Sequence, residues 1–264
     1  MLEIKNVYKT FNPGTINEKK ALNGLNLTLN NGDFVTVIGG NGAGKSTMLN
    51  MIAGVYPVDS GSIIIDGEDV TRLPEHKRAK YLGRVFQDPM MGTAAEMWIE
   101  ENMALASRRG QRRGLKWAIN KSEREDFKKM LSELDLGLED RLSAKVGLLS
   151  GGQRQALTLL MAVMKKPKLL LLDEHTAALD PKTAAKVLAL SDKFIAEDKL
   201  TAMMITHNMK DAITYGNRLI MMNNGQIILD VSGEEKKKLT VEYLLEAFSK
   251  LSGAEFTNDR ALLN

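Results

Sequence analysis

The sequence predicts an α/β fold with an antiparallel β subdomain near its start and an α-helical subdomain inserted into the core. Three observations carry that reading. The apolar run FVTVIGG leads directly into the glycine cluster GGNGAGKST and then into a helical pattern. Further along, the apolar strands KLLLLDE and TAMMITH alternate with helical patterns. Between these two regions, residues 92–147 show helical periodicity and few strand signals.

Composition bounds the answer before any motif does. The chain has 264 residues, 44% hydrophobic and 26% charged, enough for one large domain or two small ones with a substantial core. Cysteine is absent, which excludes disulfides and thiolate metal sites. The longest apolar runs, such as residues 159–164, fall far short of the roughly 18 needed to span a bilayer. The opening MLEIKNVYKTF alternates apolar and polar residues without an apolar signal core, and reads as an edge strand of a cytoplasmic protein. A net charge of +3 is too small to argue for nucleic acid as a partner.

Taken in order, residues 2–8, the stretch ALNGLNLTL, the turn at Asn31-Gly32 and FVTVIGG read as antiparallel strands. Residues 47–55 read as a helix, and GSIIIDGEDV as a hairpin turning at Asp66-Gly67. The helical interval holds a basic stretch, RRGQRRGLKWAINK, from Arg108 to Lys121. The core returns with a helix over 152–164, the strand KLLLLDE, a helix over 181–197, the strand TAMMITH and the hairpin RLIMMNNGQIIL turning at Asn224-Gly225. Residues 241–251 read as a terminal amphipathic helix.

The glycine cluster satisfies the pattern GxxxxGK[ST], in the strand-to-helix context that the chemistry needs. Gly39, Gly40, Asn41, Gly42, Ala43 and Gly44 let backbone N–H groups converge on phosphate oxygens, and the helix start adds partial positive charge. Lys45 is suited to the β and γ phosphates, and the hydroxyl of Ser46, beside Thr47, to Mg²⁺. A second glycine-rich helix start, LSGGQRQAL, carries Ser150, Gly151, Gly152 and Gln153 and suits another anion.

With these two motifs the chain resembles the ATP-binding cassette (ABC) ATPases, whose signature is LSGGQ. The resemblance covers nearly the whole chain in the family's order. Gln87 in VFQDP looks like the Q loop, Asp173 and Glu174 like the Walker B pair, Asp180 in ALD like the D loop, and His207 in MITHN like the switch histidine. Phe11 stands where the family places an aromatic on adenine. The resemblance implies a P-loop NTPase core of ABC type over residues 1–240, with a helical signature subdomain at about 92–160, followed by a C-terminal helix and tail over 241–264. It implies ATP and Mg²⁺, with Asp173, Ser46 and Gln87 near the metal and Glu174 directing the attacking water. Lys45 and His207 would contact the γ phosphate.

LLLLDEHTAALDPK also admits a metal site or a DExH box. Consecutive residues on an extended backbone diverge, which weakens a metal site at Asp173, Glu174 and His175. A DExH box needs His or Asp where Thr176 stands. His175 departs from the family, which usually has proline there. A turn substitution is one account; a titratable ring modulating the neighbouring Glu174 is the other.

One cradle and one signature imply that two copies sandwich two nucleotides, each signature acting on the partner's ATP. A single cassette without a membrane span resembles a transporter subunit at the cytoplasmic face of the membrane, bound to separate permease subunits. The methionine-rich segment from Pro89 to Met103, with Met90, Met91 and Met97, suits their docking. The expectation is import of a small organic solute, an amino acid among the candidates, with a separate solute-binding protein. A lipid, lipoprotein or peptide exporter is the alternative, and a soluble non-transport ABC ATPase a remote one. The basic stretch with Trp117 reads as a solvated loop or, if functional, as a contact for anionic lipid rather than DNA.

Overall fold

The computed structural model describes residues 1–111 and 119–252. Among the described residues, ten strands form two sheets. β1 (Leu2–Phe11), β2 (Lys19–Leu29), β4 (Ser60–Ile65) and β5 (Glu68–Asp69) make an antiparallel sheet in the order β2-β1-β4-β5. The second sheet has the order β10-β9-β3-β8-β7-β6, from β3 (Phe34–Ile38), β6 (Leu82–Val85), β7 (Leu169–Asp173), β8 (Ala202–Ile205), β9 (Arg218–Asn223) and β10 (Gln226–Ser232). All its pairs are parallel except β9 with β10.

Two expectations change here. β1 lies between β2 and β4, so it is an interior strand and not an edge. β3 pairs in parallel with β8 and β9, so the buried run before the glycines belongs to the second sheet. Strand order depends on partners distant in sequence, which local alternation does not report. The two turns read from Asp66-Gly67 and Asn224-Gly225 do close hairpins, with φ of 54° and 83° in the first and 47° and 74° in the second. Paired positive φ values match the right-handed twist of the strands they join.

The inner strands β3, β7 and β8 of the second sheet are buried on both faces, successive side chains alternating between them. Val35, Val37, Leu169, Leu171, Met203 and Ile205 face the antiparallel sheet and α1 (Lys45–Ala53). Phe34, Leu170, Leu172, Ala202 and Met204 face the opposite way, against α5 (Gly151–Val163) and α6 (Pro181–Asp198). The inserted helices α3 (Ile99–Ser107) and α4 (Lys121–Ser132) extend that side through Met103, Phe127 and Leu131. Ile38, Leu219 and Met221 pack on α7 (Met209–Thr214) and α9 (Val241–Ser252), following the short α8 (Gly233–Lys237). Sheets buried on both faces carry continuous apolar runs, which is why LLLLD and AMMI lack polar alternation.

The four-residue helix α2 (Glu75–Arg78) ends on a guanidinium that is 1% exposed. Arg78 donates to the carbonyls of Met51 at 2.7 Å and Ile52 at 2.9 Å, satisfying the C-terminal end of α1, and to Leu73 and Thr71 at 2.7 and 3.0 Å. α1 starts on the phosphate loop, so its far end is held by one buried cation. Arg78→Met would remove all four donations, leaving the Met51 carbonyl only its bond from the Gly54 amide. We expect a loss of about 3 kcal/mol in urea unfolding; a loss below about 1 kcal/mol would contradict this role.

Candidate nucleotide site

The glycine loop follows β3 and is shaped by neighbours that admit no side chain. A Cβ on Gly39 would sit 2.2 Å from the Met222 carbonyl, and one on Gly44 would sit 2.6 Å from that of Ala21. Both have positive φ, 149° and 102°, so their conformations favour glycine on backbone grounds too. The β9–β10 turn supports the loop through Gly225 N–H donating to the Ala43 carbonyl at 3.0 Å. Lys45 is buried, its Nζ donating to the carbonyls of Gly39 at 2.7 Å and Gly40 at 3.2 Å.

A cavity of about 250 Å³ opens over this loop, lined by residues 41–47 together with Phe11, Lys19, Ala21, Glu174 and His207. Phe11 stands at its edge, packed edge-to-face on Tyr56 with ring centroids 5.3 Å apart. Lys19 did not emerge from sequence reasoning. It pairs with Phe11 across β1 and β2. The register is shifted by bulges, so the pairing cannot be counted from the sequence.

Glu174 follows β7 with φ of 47°, a left-handed conformation that costs a non-glycine residue about 1–3 kcal/mol. Its amide donates to the Ile205 carbonyl at 3.1 Å, holding β7 to β8. Its carboxylate meets His207 Nε2 at 2.6 Å. That hydrogen bond holds the Glu174 carboxyl below the usual range against the opposing effect of burial. Asp173 shifts the other way: burial raises its carboxyl, with Arg84 opposing at 3.8 Å. Arg84 also donates to Asn50 Oδ1 at 2.6 Å, while its buried Nε has no partner. Arg84 was missed because β6, LGRV, is too short and mixed to read as a strand.

The structure does not gather every expected residue around the cavity. Gln87 is exposed beyond the end of β6, outside the lining. Asp180 caps α6, its Oδ1 accepting from the Thr183 amide at 3.1 Å, a bond that lowers its carboxyl. Ser150 caps α5, accepting from the Gln153 amide at 3.3 Å while Gln153 Oε1 accepts from Ser150 N–H at 3.2 Å. Gly151 is exposed, whereas Gly152 packs so closely on α6 that a Cβ would lie 2.1 Å from Thr183 Cγ2. Ser150, Gly152 and Gln153 line a separate cavity of about 290 Å³.

The profile described as ABC transporter matches residues 22–177. The chain is 46% identical over 253 residues to the tyrosine transport ATP-binding protein of Clostridioides difficile, covering 94% of this chain and 98% of that protein. It is 36% identical over 237 residues to the spermidine/putrescine import ATP-binding protein of Haemophilus influenzae, covering 89% of this chain and 59% of the longer relative. A dimeric post-hydrolysis structure of an ATP-binding cassette bound to ADP and Pi superposes with a TM-score of 0.75 at 30% identity, covering 88% of this chain and 98% of that one.

The chain belongs to the ABC transporter family.

It is an ABC ATPase, hydrolysing ATP in connection with transport. Among its described residues no helix is long and apolar enough to cross a membrane. Nor does a cluster of three or more His, Asp and Glu form there that would hold a metal alone. The Ser46 hydroxyl, the Asp173 carboxylate and the Gln87 amide oxygen are hard oxygen donors of the kind Mg²⁺ takes when phosphate and water complete its shell. The donor set of this ABC ATPase therefore fits that ion.

Two further expectations meet the structure. In the methionine-rich segment, Met90 and Met91 are exposed and Met97 is half-buried. Of the basic stretch, Arg108 bonds Glu123 at 2.8 Å and Arg109 bonds the Ala162 carbonyl at 2.9 Å, so both are engaged within the helical subdomain. Trp117 lies outside the described residues.

Of the two accounts of His175, the structure speaks against the titratable ring beside Glu174. Its ring does not stand beside the Glu174 carboxylate as a group titrating near neutrality: it is 2% exposed, with Nε2 2.9 Å from Ser191 Oγ on α6. Ser191 donates its own proton to the Val187 carbonyl at 2.9 Å, which leaves Nε2 as the donor of a neutral ring. Burial pushes the His175 pKa down to about 4. The unfolded chain therefore takes up this proton more readily, and stability is lost as pH falls from the unperturbed value near 6.5 towards 4. Between pH 7 and 5 we expect the parent to lose about 2 kcal/mol more than His175→Gln in urea unfolding; equal losses would contradict the buried neutral ring.

Proposed function

We propose that this ABC ATPase powers import of a small organic solute, an amino acid, through separate permease subunits at the cytoplasmic face of the membrane. The observation that carries this reading is the near full-length 46% identity to a protein named for tyrosine transport. A relative named for spermidine/putrescine import supports the direction of transport. In this reading the exposed Met90 and Met91 receive the permease, because flexible thioethers adapt to an apolar partner surface. A separate solute-binding protein delivers the solute.

ATP lies with its phosphates along Asn41 to Thr47 and its base against Phe11. Lys45 turns from the loop carbonyls to the β and γ phosphates, and Lys19 adds positive charge at the mouth. Ser46 and Asp173, with Gln87 nearby, would hold Mg²⁺, which would supply positive charge to the phosphates. Glu174 accepts the proton of the attacking water, whose oxygen bonds to the γ phosphorus as the bond to ADP breaks. Before that step, as ATP binds, His207 exchanges its contact with Glu174 for one with the γ phosphate, which frees the carboxylate. Ser150, Gly151, Gly152 and Gln153 cover the ATP of a second copy, with Asp180 beside the seam. Two helix starts facing one γ phosphate make closure depend on ATP, and hydrolysis removes that bridge.

Glu174→Gln tests the reading. We expect phosphate release to fall by about 10²-fold or more, an ATP-bound dimer to accumulate on sizing with Mg²⁺, and uptake of labelled amino acids to drop to background in cells relying on the variant. A monomeric variant hydrolysing at the parental rate would contradict the site, and undiminished uptake of every amino acid would contradict the transport class.

A further inference from the structure

Gln155 lies on α5 just after the signature motif and is 0% exposed. Its side-chain amide makes two hydrogen bonds to backbone. Nε2 donates to the Phe86 carbonyl at 3.0 Å and to the His175 carbonyl at 2.7 Å. Phe86 immediately precedes Gln87, and His175 immediately follows Glu174. Both protons of one planar –NH₂ group are thus committed to two loops, one carrying Glu174, which takes the proton of the attacking water in the proposed reaction, and one carrying Gln87, placed there near Mg²⁺. The buried Oε1 has no partner, so the amide is held by these two donations.

We infer that Gln155 is a positioning residue that couples the signature helix to the Gln87 and Glu174 loops. The inference rests on the proposed function, in which a signature covers the partner's nucleotide while Gln87 and Glu174 act on the chain's own. α5 is buried at eleven positions from Gly152 to Val163, so it moves as a unit. Displacement of its Ser150 end on meeting the partner's γ phosphate is carried by a single amide to both loops of the neighbouring half-site. The two sites of a sandwich thereby adjust together. His175 adds a second tie, because its ring is held by Ser191 on α6, the helix that Asp180 caps. Proline at this position would retain the carbonyl that Gln155 grips but lose the tie to α6.

The test is steady-state ATPase of the full chain, with nucleotide-binding stoichiometry and thermal midpoint, for Gln155→Met and Gln155→Asn beside Glu174→Gln. Methionine fills the space without donors; asparagine keeps an amide but falls one methylene short, and reads the coupling even where the methionine variant fails to fold. We expect kcat per bound nucleotide to fall about tenfold or more, the scale of a small misplacement of reacting groups, with KM for ATP within about twofold of the parent. Parental kcat per bound nucleotide in either folded variant, or a loss confined to the thermal midpoint or KM, overturns the coupling. If Glu174→Gln also hydrolyses at the parental rate, the site reading itself has failed; if it is inactive while the Gln155 variants are not, only the coupling has.

Discussion

The register of four parallel strands sets where every candidate reacting group stands. Val37 and Asp173 both align with Ile205, and Val85 aligns with Leu172, so β3, β8, β7 and β6 end along one edge of the sheet. From that edge emerge Gly39, His207, Glu174 and Gln87, each within two residues of its strand. A slip of one residue in β7 would send Leu169 and Leu171 to the opposite face. Because both faces are filled, no such slip finds an equivalent packing, and the depth of the core protects the position of the chemistry.

Around that edge the charges are balanced in pairs that pull in opposite directions. Burial raises Asp173, while hydrogen bonding to His207 lowers Glu174. Adjacent carboxylates thus meet different surroundings, one facing Arg84 and the other the histidine. A carboxyl that burial raises is suited to a cation that restores its charge, and one held ionised is suited to accept a proton. The arrangement accords with the division of labour proposed for Asp173 and Glu174. It also shows how Arg84, on a strand of four residues, belongs to the electrical balance of the site.

The legible parts of the sequence were those whose chemistry is local. The glycine loop, the paired acids after an apolar strand and the Asn-Gly and Asp-Gly turns each state a backbone requirement within a few residues. What escaped was set by partners far along the chain. β6 is a strand because Leu169 to Leu172 lie beside it, β1 is interior because β4 returns to it, and Lys19 reaches the cavity through a bulged register with Phe11. α7 is too short for a clear period, though Asn208 caps it at 2.9 Å from the Lys210 amide. His175 was the clearest limit: its identity marked a departure from the family, but only the position of Ser191 shows that the ring turns inward.

The central claim is that the cavity over Asn41 to Thr47 is completed by the signature helix of a second copy. The chain contains no cysteine, so two substitutions can report on it without background. With Asn41→Cys and Ser150→Cys on separate chains, both in the Glu174→Gln background, a short bifunctional thiol reagent should join one chain to the other in ATP and Mg²⁺, and not without nucleotide. Joining at the same yield with and without ATP, or none under either condition, would contradict the account.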